Sequence, residues 1–210
     1  KNKIIKPAIS LIGKQSVYLT TNENQAILLE AINNSLNGNA IVQDYIRGKN
    51  IVMYSHVINN KLINFEFLDE INFKNKKNKF YGKGFAIPSV NIDSHTKFKA
   101  YKIAHKLIKI LKINNSPLLI SFNIYKKKLY LIEIHLDLGG DKVIEFLLSN
   151  SSNINFINLI FDMYVNKSYN TNKLLFKPTL MTFRKNKNSP SLTYFKSKFE
   201  MRKHINKKLN

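Results

Sequence analysis

The spacing of apolar and polar positions changes several times along the 210-residue chain, and each change predicts an element. Short apolar runs ended by turn residues predict strands at 3–7 and 17–20, with the loop 8–16 between them. Ala26, Leu29, Ile32 and Leu36 recur at helical spacing. They predict a helix capped by Thr21 or Asn22 and stopped at Asn37-Gly38-Asn39. Residues 40–46 read as a buried strand running into a turn at Gly48. Strands at 51–57 and 62–68 flank Asn59-Asn60, a hairpin signal. Residues 74–80, Lys-Asn-Lys-Lys-Asn-Lys-Phe, have little to bury and predict a mobile connection over the surface.

Beyond Pro88, the positions of Phe98, Tyr101, Ile103, Ala104, Leu107, Ile108 and Leu111 predict the longest helix, over about 94–111, with one buried side. Strands at 118–125 and 128–134 follow, separated by Lys126-Lys127. The second runs into His135-Leu136-Asp137-Leu138-Gly139-Gly140-Asp141, the richest local pattern in the chain. Residues 142–148 and 154–165 read as helical, 174–183 as a last strand, and 184–210 as a basic tail. There is no internal repeat.

Composition narrows the class. The 44% hydrophobic content is that of a globular chain. Every apolar run is broken by Lys, Asn or Asp before the roughly 18 to 20 residues that span a bilayer, so a soluble protein without a membrane partner is expected. The first residues show neither signal- nor transit-peptide character. The absence of Cys excludes disulfides, thiolate metal sites and a Cys nucleophile, and fits a cytoplasmic setting. The formal charge of +21 suits a polyanion, but Arg47, Arg184 and Arg202 are the only arginines. Nucleic-acid recognition favours the planar Arg fork. Lys, Asn and Ile, which dominate together, share A/T-rich codons. Most of the charge is therefore read as solvated faces, and a basic nucleic-acid-binding module, suggested also by Tyr194, Phe195 and Phe199 among the tail lysines, ranks last among the functions considered.

Candidate chemistry begins at Lys6, an ammonium at a rigid strand end before Pro7. Gly13 and Ser16, either side of Lys14 and Gln15, are small residues whose backbone amides suit a phosphate. Alone, Lys6 is a weak signal, and the loop reads as an ordinary hairpin loop. In the same way, Glu133 alone reads as a solvated residue on an outward strand face. There is no Gly-x-Ser-x-Gly elbow, His-Glu-x-x-His or phosphate loop ending in Gly-Lys-Ser/Thr.

Their order along the chain makes the pattern specific. A Lys-Pro strand end, a small-residue loop, the run Gln43-Asp44-Tyr45-Ile46 entering Gly48, and Glu133-Ile134-His135 before Gly139-Gly140 resemble the ATP-grasp superfamily over about residues 3–165. The resemblance implies an α+β fold of two lobes with a mainly antiparallel sheet, the nucleotide held between them. It places the smaller lobe, with phosphate loop and hinge, at 1–50, the larger lobe, with Glu133 and the Gly-Gly turn, at 51–183, and the basic tail at 184–210. An amino-terminal domain and its nucleotide-contacting lysine are expected to be missing.

The resemblance further implies ATP and magnesium as cofactors. Lys6 would contact phosphate, with Gly13, Lys14 and Ser16 in the loop folding over it, although Ser16 stands where a second Gly is usual. Gln43, Asp44, Tyr45 and Ile46 would form the adenine hinge. Asn50 replaces the usual ribose-binding Glu. Glu133 would be the magnesium carboxylate, with His135 at the metal site in place of the usual Asn and Asp137, in place of the usual Arg, as a substitute ligand. The second metal carboxylate is replaced by Ser121 or Asn123. No catalytic residue is assigned. The implied reaction is ATP-dependent joining of a carboxylate to an amine or similar nucleophile through an acyl phosphate. A degenerate fold that binds nucleotide or ligand without turnover is the alternative. Small-molecule carboxylate and amine substrates are the expected partners, with self-association left open.

Overall fold

The computed structural model describes all residues except 1, 11–13, 15, 22–23, 153, 166–173, 184–189 and 209–210. The chain divides into two compact units, residues 1–47 with 72–83, and residues 48–71 with 84–210.

In the first unit β1 (Lys3–Pro7) lies between β2 (Tyr18–Thr20) and β3 (Ala40–Asp44), both antiparallel to it. Helix α1 (Gln25–Asn33) is capped by Asn24, whose side chain accepts from the Ile27 amide. The cap therefore falls three residues beyond Thr21, and the expected Asn22 lies outside the described residues. Its inward side also differs from the expected one. Ala31 is fully buried, with Ile27 and Leu28 partly covered, whereas Leu29 and Leu36 are exposed. Two apolar stripes at helical spacing coexist in Ala26–Ile32, and spacing alone does not choose between them. Residues 40–44, expected to be buried, form the sheet edge, with Ile41 and Val42 exposed.

The lysine-rich stretch at 74–80 is not a loose connection. It is the turn of a hairpin between β5 (Lys61–Lys74) and β6 (Phe80–Ile87). The Asn75 side chain accepts from the amides of Lys77 and Lys79, both at 2.9 Å, which closes the turn. The Leu19 amide donates to the Asn78 carbonyl and the Phe80 amide to the Val17 carbonyl, so the hairpin tip lies along β2. Backbone bonds hold this segment in place of apolar side chains, which is why composition did not reveal it.

The second unit is built on a seven-stranded sheet. From β10 (Ser191–Tyr194) it runs through β9 (Thr179–Thr182), β6, β5, β4 (Lys49–Ile58) and β7 (Ser116–Tyr125) to β8 (Lys128–His135). Helix α2 (Ser94–Leu111) starts on the Asp93 cap, which accepts from the Thr96 amide, and ends at Lys112 in the left-handed region. It lays Ala100, Ala104 and Ile108 on Ile51, Met53, Val57, Leu118, Ile120 and Phe122. The opposite face of the sheet, carrying Val52, Tyr54, Ile58 and Leu119, is covered by a π-helical segment (Val143–Leu148), α3 (Ser149–Ser152) and α4 (Phe156–Val165). Each large side chain fully buried in this way contributes about 1.5–3 kcal/mol. The residues expected as a tail include β10 and α5 (Lys198–Lys208), which buries Met201 and Ile205 against Val90 and Leu180. The Arg202 guanidinium donates to the Val90 carbonyl.

His56 is 1% exposed on β4, with Nδ1 3.1 Å from the Tyr164 hydroxyl and its ring 5.1 Å from that of Phe65. Burial lowers its pKa from 6.5 to about 4. The folded protein therefore refuses a proton that the unfolded chain accepts between these values. The resulting stability is complete above pH 6.5 and falls by about 3 kcal/mol as the pH drops to about 4. Urea denaturation across this range, compared with a His56→Phe/Tyr164→Phe protein, checks the expectation. The double variant should show a flatter pH dependence, and equal slopes would assign the whole effect to carboxylates.

Candidate functional site

The first unit carries eight of the predicted residues. Lys6 is half-buried on β1, opposite Ile41, and Pro7 is buried beside it. Gly13 lies outside the described residues, whereas Lys14 and Ser16 are described and both have positive φ. Ser16 is 1% exposed, and its hydroxyl donates to Glu30 at 2.8 Å. The Glu30 carboxylate also accepts from the Tyr18 hydroxyl, at 2.8 and 2.7 Å, and from Lys79 at 3.3 Å. The Tyr18 hydrogen bond, opposed by burial, holds the Glu30 pKa below its usual range. This network ties β2, α1 and the hairpin tip together. Sequence reading passed over Glu30; its only signal was a lone acid within the apolar stretch Ala26–Ile32.

At the end of β3, Gln43 and Tyr45 are half-buried and Asp44 is exposed, with Lys3 Nζ 2.6 Å from its carboxylate. The Tyr45 amide donates to the Asn2 carbonyl, and the Tyr45 ring lies 6.0 Å from that of Phe80. Ile46 follows, half-buried. The backbone thus brings Gln43 to Ile46 together as one continuous edge. A separate hollow of about 470 Å³ in this unit, lined by Lys74, Lys76, Lys77, Thr20 and Asn24, contains none of the predicted residues.

The second unit carries Asn50, Ser121, Asn123, Glu133, His135 and Asp137. Strict alternation along β8 would place Leu129, Leu131, Glu133 and His135 on one face. The structure breaks that alternation. Phe122 pairs with Leu131 and Ser121 with Glu133, leaving Ile132 as an extra residue in a bulge. Leu129 and Ile134 consequently face α2, while Glu133 and His135 share the opposite face with Ser121 and Leu119. A bulge re-aims a side chain, and here it directs Glu133.

Ser121 is the cross-strand partner of Glu133. Asn123 pairs instead with Tyr130 and Asn50, and its Nδ2 donates to Asn50 Oδ1 at 2.7 Å. Asn50 Nδ2 in turn reaches Glu70 at 3.3 Å. Asn123 is 5% exposed, and its Oδ1 has no hydrogen-bond partner among the described residues. His135 Nε2 stands 3.4 Å from Glu133 Oε1, and this contact, against an opposing effect of burial, raises the His135 pKa. Asp137 Oδ1 accepts from the Gly139 amide at 2.7 Å, which shapes the glycine turn. Gly139 has φ of 70°, and a Cβ there would meet the Tyr54 hydroxyl at 2.9 Å. Burial first, and then the charges of Asp141, Glu70, Asp137 and Glu145, push the Tyr54 pKa upward.

These residues are a poor fit to magnesium. A hard cation in a nucleotide site is held by one or two carboxylates together with phosphate oxygens and water. Here one carboxylate faces a serine, its Oε1 lies beside an imidazole, and Asp137 is bonded to its own turn. No group of three or more His, Asp or Glu among the described residues is placed to hold a metal ion. The only carboxylate side chain outside the described residues is Glu23.

No protein-family model matches the sequence, and no curated protein matches it. Solved structures do. An L-amino acid ligase from Bacillus licheniformis is 14% identical, with a TM-score of 0.67 over 87% of this chain and 44% of that one. N5-carboxyaminoimidazole synthetase from Staphylococcus aureus, solved with ADP, is 13% identical, with a TM-score of 0.70 over 100% of this chain and 61% of that one. The biotin carboxylase domain of Hydrogenobacter thermophilus 2-oxoglutarate carboxylase, solved with MgADP, ADP and bicarbonate, is 13% identical, with a TM-score of 0.67 over 87% and 41%. The chain therefore has the ATP-grasp fold, of mixed helices and a large antiparallel sheet. It spans 41% to 61% of the length of these three proteins. Among the described residues no helix is long and apolar enough to cross a membrane.

Gly48, between the hinge run and β4, has a measurable structural role. A Cβ at this position would lie 2.0 Å from Asn123 Oδ1 and 2.3 Å from the Ile124 carbonyl oxygen. Gly48→Ala should destabilise the protein by about 1–3 kcal/mol. Asn123→Ala should fail to restore it, because the Ile124 carbonyl still blocks the Cβ. Denaturant titration of the single and double variants measures both effects, and a neutral Gly48→Ala would mean that β7 yields easily at this point.

Proposed function

We propose that this chain is the nucleotide-binding part of an ATP-dependent ligase that joins a carboxylate to an amine or similar nucleophile through an acyl phosphate. The observation that carries this reading is the ATP-grasp fold together with the ordered set Lys6, Gln43 to Ile46, Gly48 and Glu133 before Gly139-Gly140. The neighbours solved with ADP or MgADP support an adenine nucleotide as the ligand. In this reading Lys6 offsets phosphate charge, the edge formed by Gln43 to Ile46 reads adenine through backbone groups, and Glu133 is the carboxylate that the resemblance implies. The acid and the acceptor are small molecules, and the compartment is the cytoplasm.

A second reading, nucleotide binding without turnover, is favoured by one specific observation. Ser121 stands opposite Glu133 where the resemblance implies a second carboxylate, and neither Ser121 nor Asn123 carries charge. Both readings share the nucleotide and differ in phosphoryl transfer.

Calorimetric titration with a non-hydrolysable ATP analogue tests what they share. Saturable binding is expected, weakened by about tenfold to a hundredfold in Lys6→Ala, the cost of one charge-assisted contact. Absence of binding, together with salt-sensitive binding of single-stranded DNA, would replace this reading with a basic nucleic-acid surface. Where the analogue binds, phosphate release from ATP with mixed carboxylates and amines separates ligation from binding alone.

A further inference from the structure

We infer that this chain holds its nucleotide without a bridging magnesium ion, the place of the metal ligands being taken by a neutral serine and a carboxylate in contact with an imidazole. The inference rests on the nucleotide binding that both readings proposed above share.

Four features of the β7–β8 surface lead to it. Cross-strand pairing puts Ser121, a neutral hydroxyl, directly opposite Glu133, so two carboxylates do not converge there. Neighbouring strands place paired side chains within about 4.5–5.5 Å at Cβ, close enough for one ion to bridge them had both been acidic. Asn123, the other uncharged candidate, is turned toward Asn50 and lies in the next row of the sheet. The Oε1 atom of Glu133 is 3.4 Å from His135 Nε2, so one of its two oxygens already faces a nitrogen. Magnesium takes oxygen ligands in near-octahedral geometry and gives up water reluctantly, and the imidazole beside the Glu133 carboxylate is a poor ligand for it. Asp137 is tied to the glycine turn through Oδ1, which accepts from the Gly139 amide, and no three acidic or histidine side chains among the described residues are grouped to hold a metal ion.

This differs from the MgADP found with the biotin carboxylase neighbour. The likeness to that protein lies in backbone arrangement at 13% identity, whereas metal binding depends on a few side chains. Substitution at Ser121 and His135 changes the donor set without disturbing the strand pairing, since Ser121 is half-buried and His135 is exposed.

The test uses the whole chain and one ligand, ADP, titrated calorimetrically in excess EDTA and again in excess magnesium. For the wild-type protein the dissociation constant should change by less than about twofold between the two conditions. The Ser121→Glu/His135→Asn protein, which places a second carboxylate opposite Glu133 and removes the imidazole, should bind ADP at least about tenfold more tightly with magnesium than without. Circular dichroism and the unfolding midpoint establish that this variant is folded, and Ser121→Glu alone serves as a milder form. Tenfold tightening by magnesium in the wild-type protein, abolished by Glu133→Gln, would overturn the inference while leaving the nucleotide reading intact. Absence of ADP binding in both conditions and both proteins would overturn the nucleotide reading and this inference with it.

Discussion

The pairing of β7 with its two neighbours is the constraint on which the second unit depends. β7 runs antiparallel to β4 from Lys49↔Ile124 to Val57↔Ser116 and antiparallel to β8 across a bulge. One face of this three-strand core is closed by α2, and the other by the π-helical segment with α3 and α4. A slip of one residue would turn Ile120 and Phe122 away from α2 and bring Ser121 and Asn123 into its place. Burial of both faces thus sets the register, and the register places every polar residue discussed on this sheet.

Gly48 shows how closely the elements must approach for that arrangement to hold. The chain enters β4 there, so near to β7 that neither Asn123 nor the Ile124 carbonyl leaves room for a side chain. Asn123 is then buried, spends its amide nitrogen on Asn50, and leaves its carbonyl oxygen without a partner among the described residues. An unpaired buried polar atom costs about 1–3 kcal/mol. The surrounding sheet offsets that cost, and the Asn123–Asn50–Glu70 row continues from it across three strands.

The first unit depends on polar linkage as much as on apolar burial. Glu30 collects Ser16, Tyr18 and Lys79, so one carboxylate joins the last residue of the phosphate-loop candidate, the second strand and the hairpin tip. The strongly basic composition acquires local meaning there. Between Glu70 and Asp93 the chain has no acid, and Lys79 obtains its counter-charge from a helix more than forty residues earlier. The Ser16 hydroxyl is committed to this network, so its part in any phosphate contact falls to the backbone.

Local pattern was enough for much of the fold. The longest helix begins and ends where apolar spacing puts it, and the hairpins around Asn59-Asn60 and Lys126-Lys127 follow from turn chemistry and flanking apolar runs. The order of Lys6, the hinge run, Gly48 and Glu133 before two glycines was sufficient to suggest ATP-grasp, because that order is a property of the chain itself. What the sequence did not determine was anything that depends on one strand meeting another. The hairpin at 74–80 is held by backbone bonds to β2, the inward side of α1 was chosen by its contacts rather than its spacing, and the exposure of Ile41 and Val42 follows from an edge position. Above all, the direction of Glu133 was decided by the bulge at Ile132, since alternation counted along β8 alone gives the opposite face. Local propensity is written residue by residue, whereas facing, pairing and the neighbours of a carboxylate exist only once two strands have taken a common register.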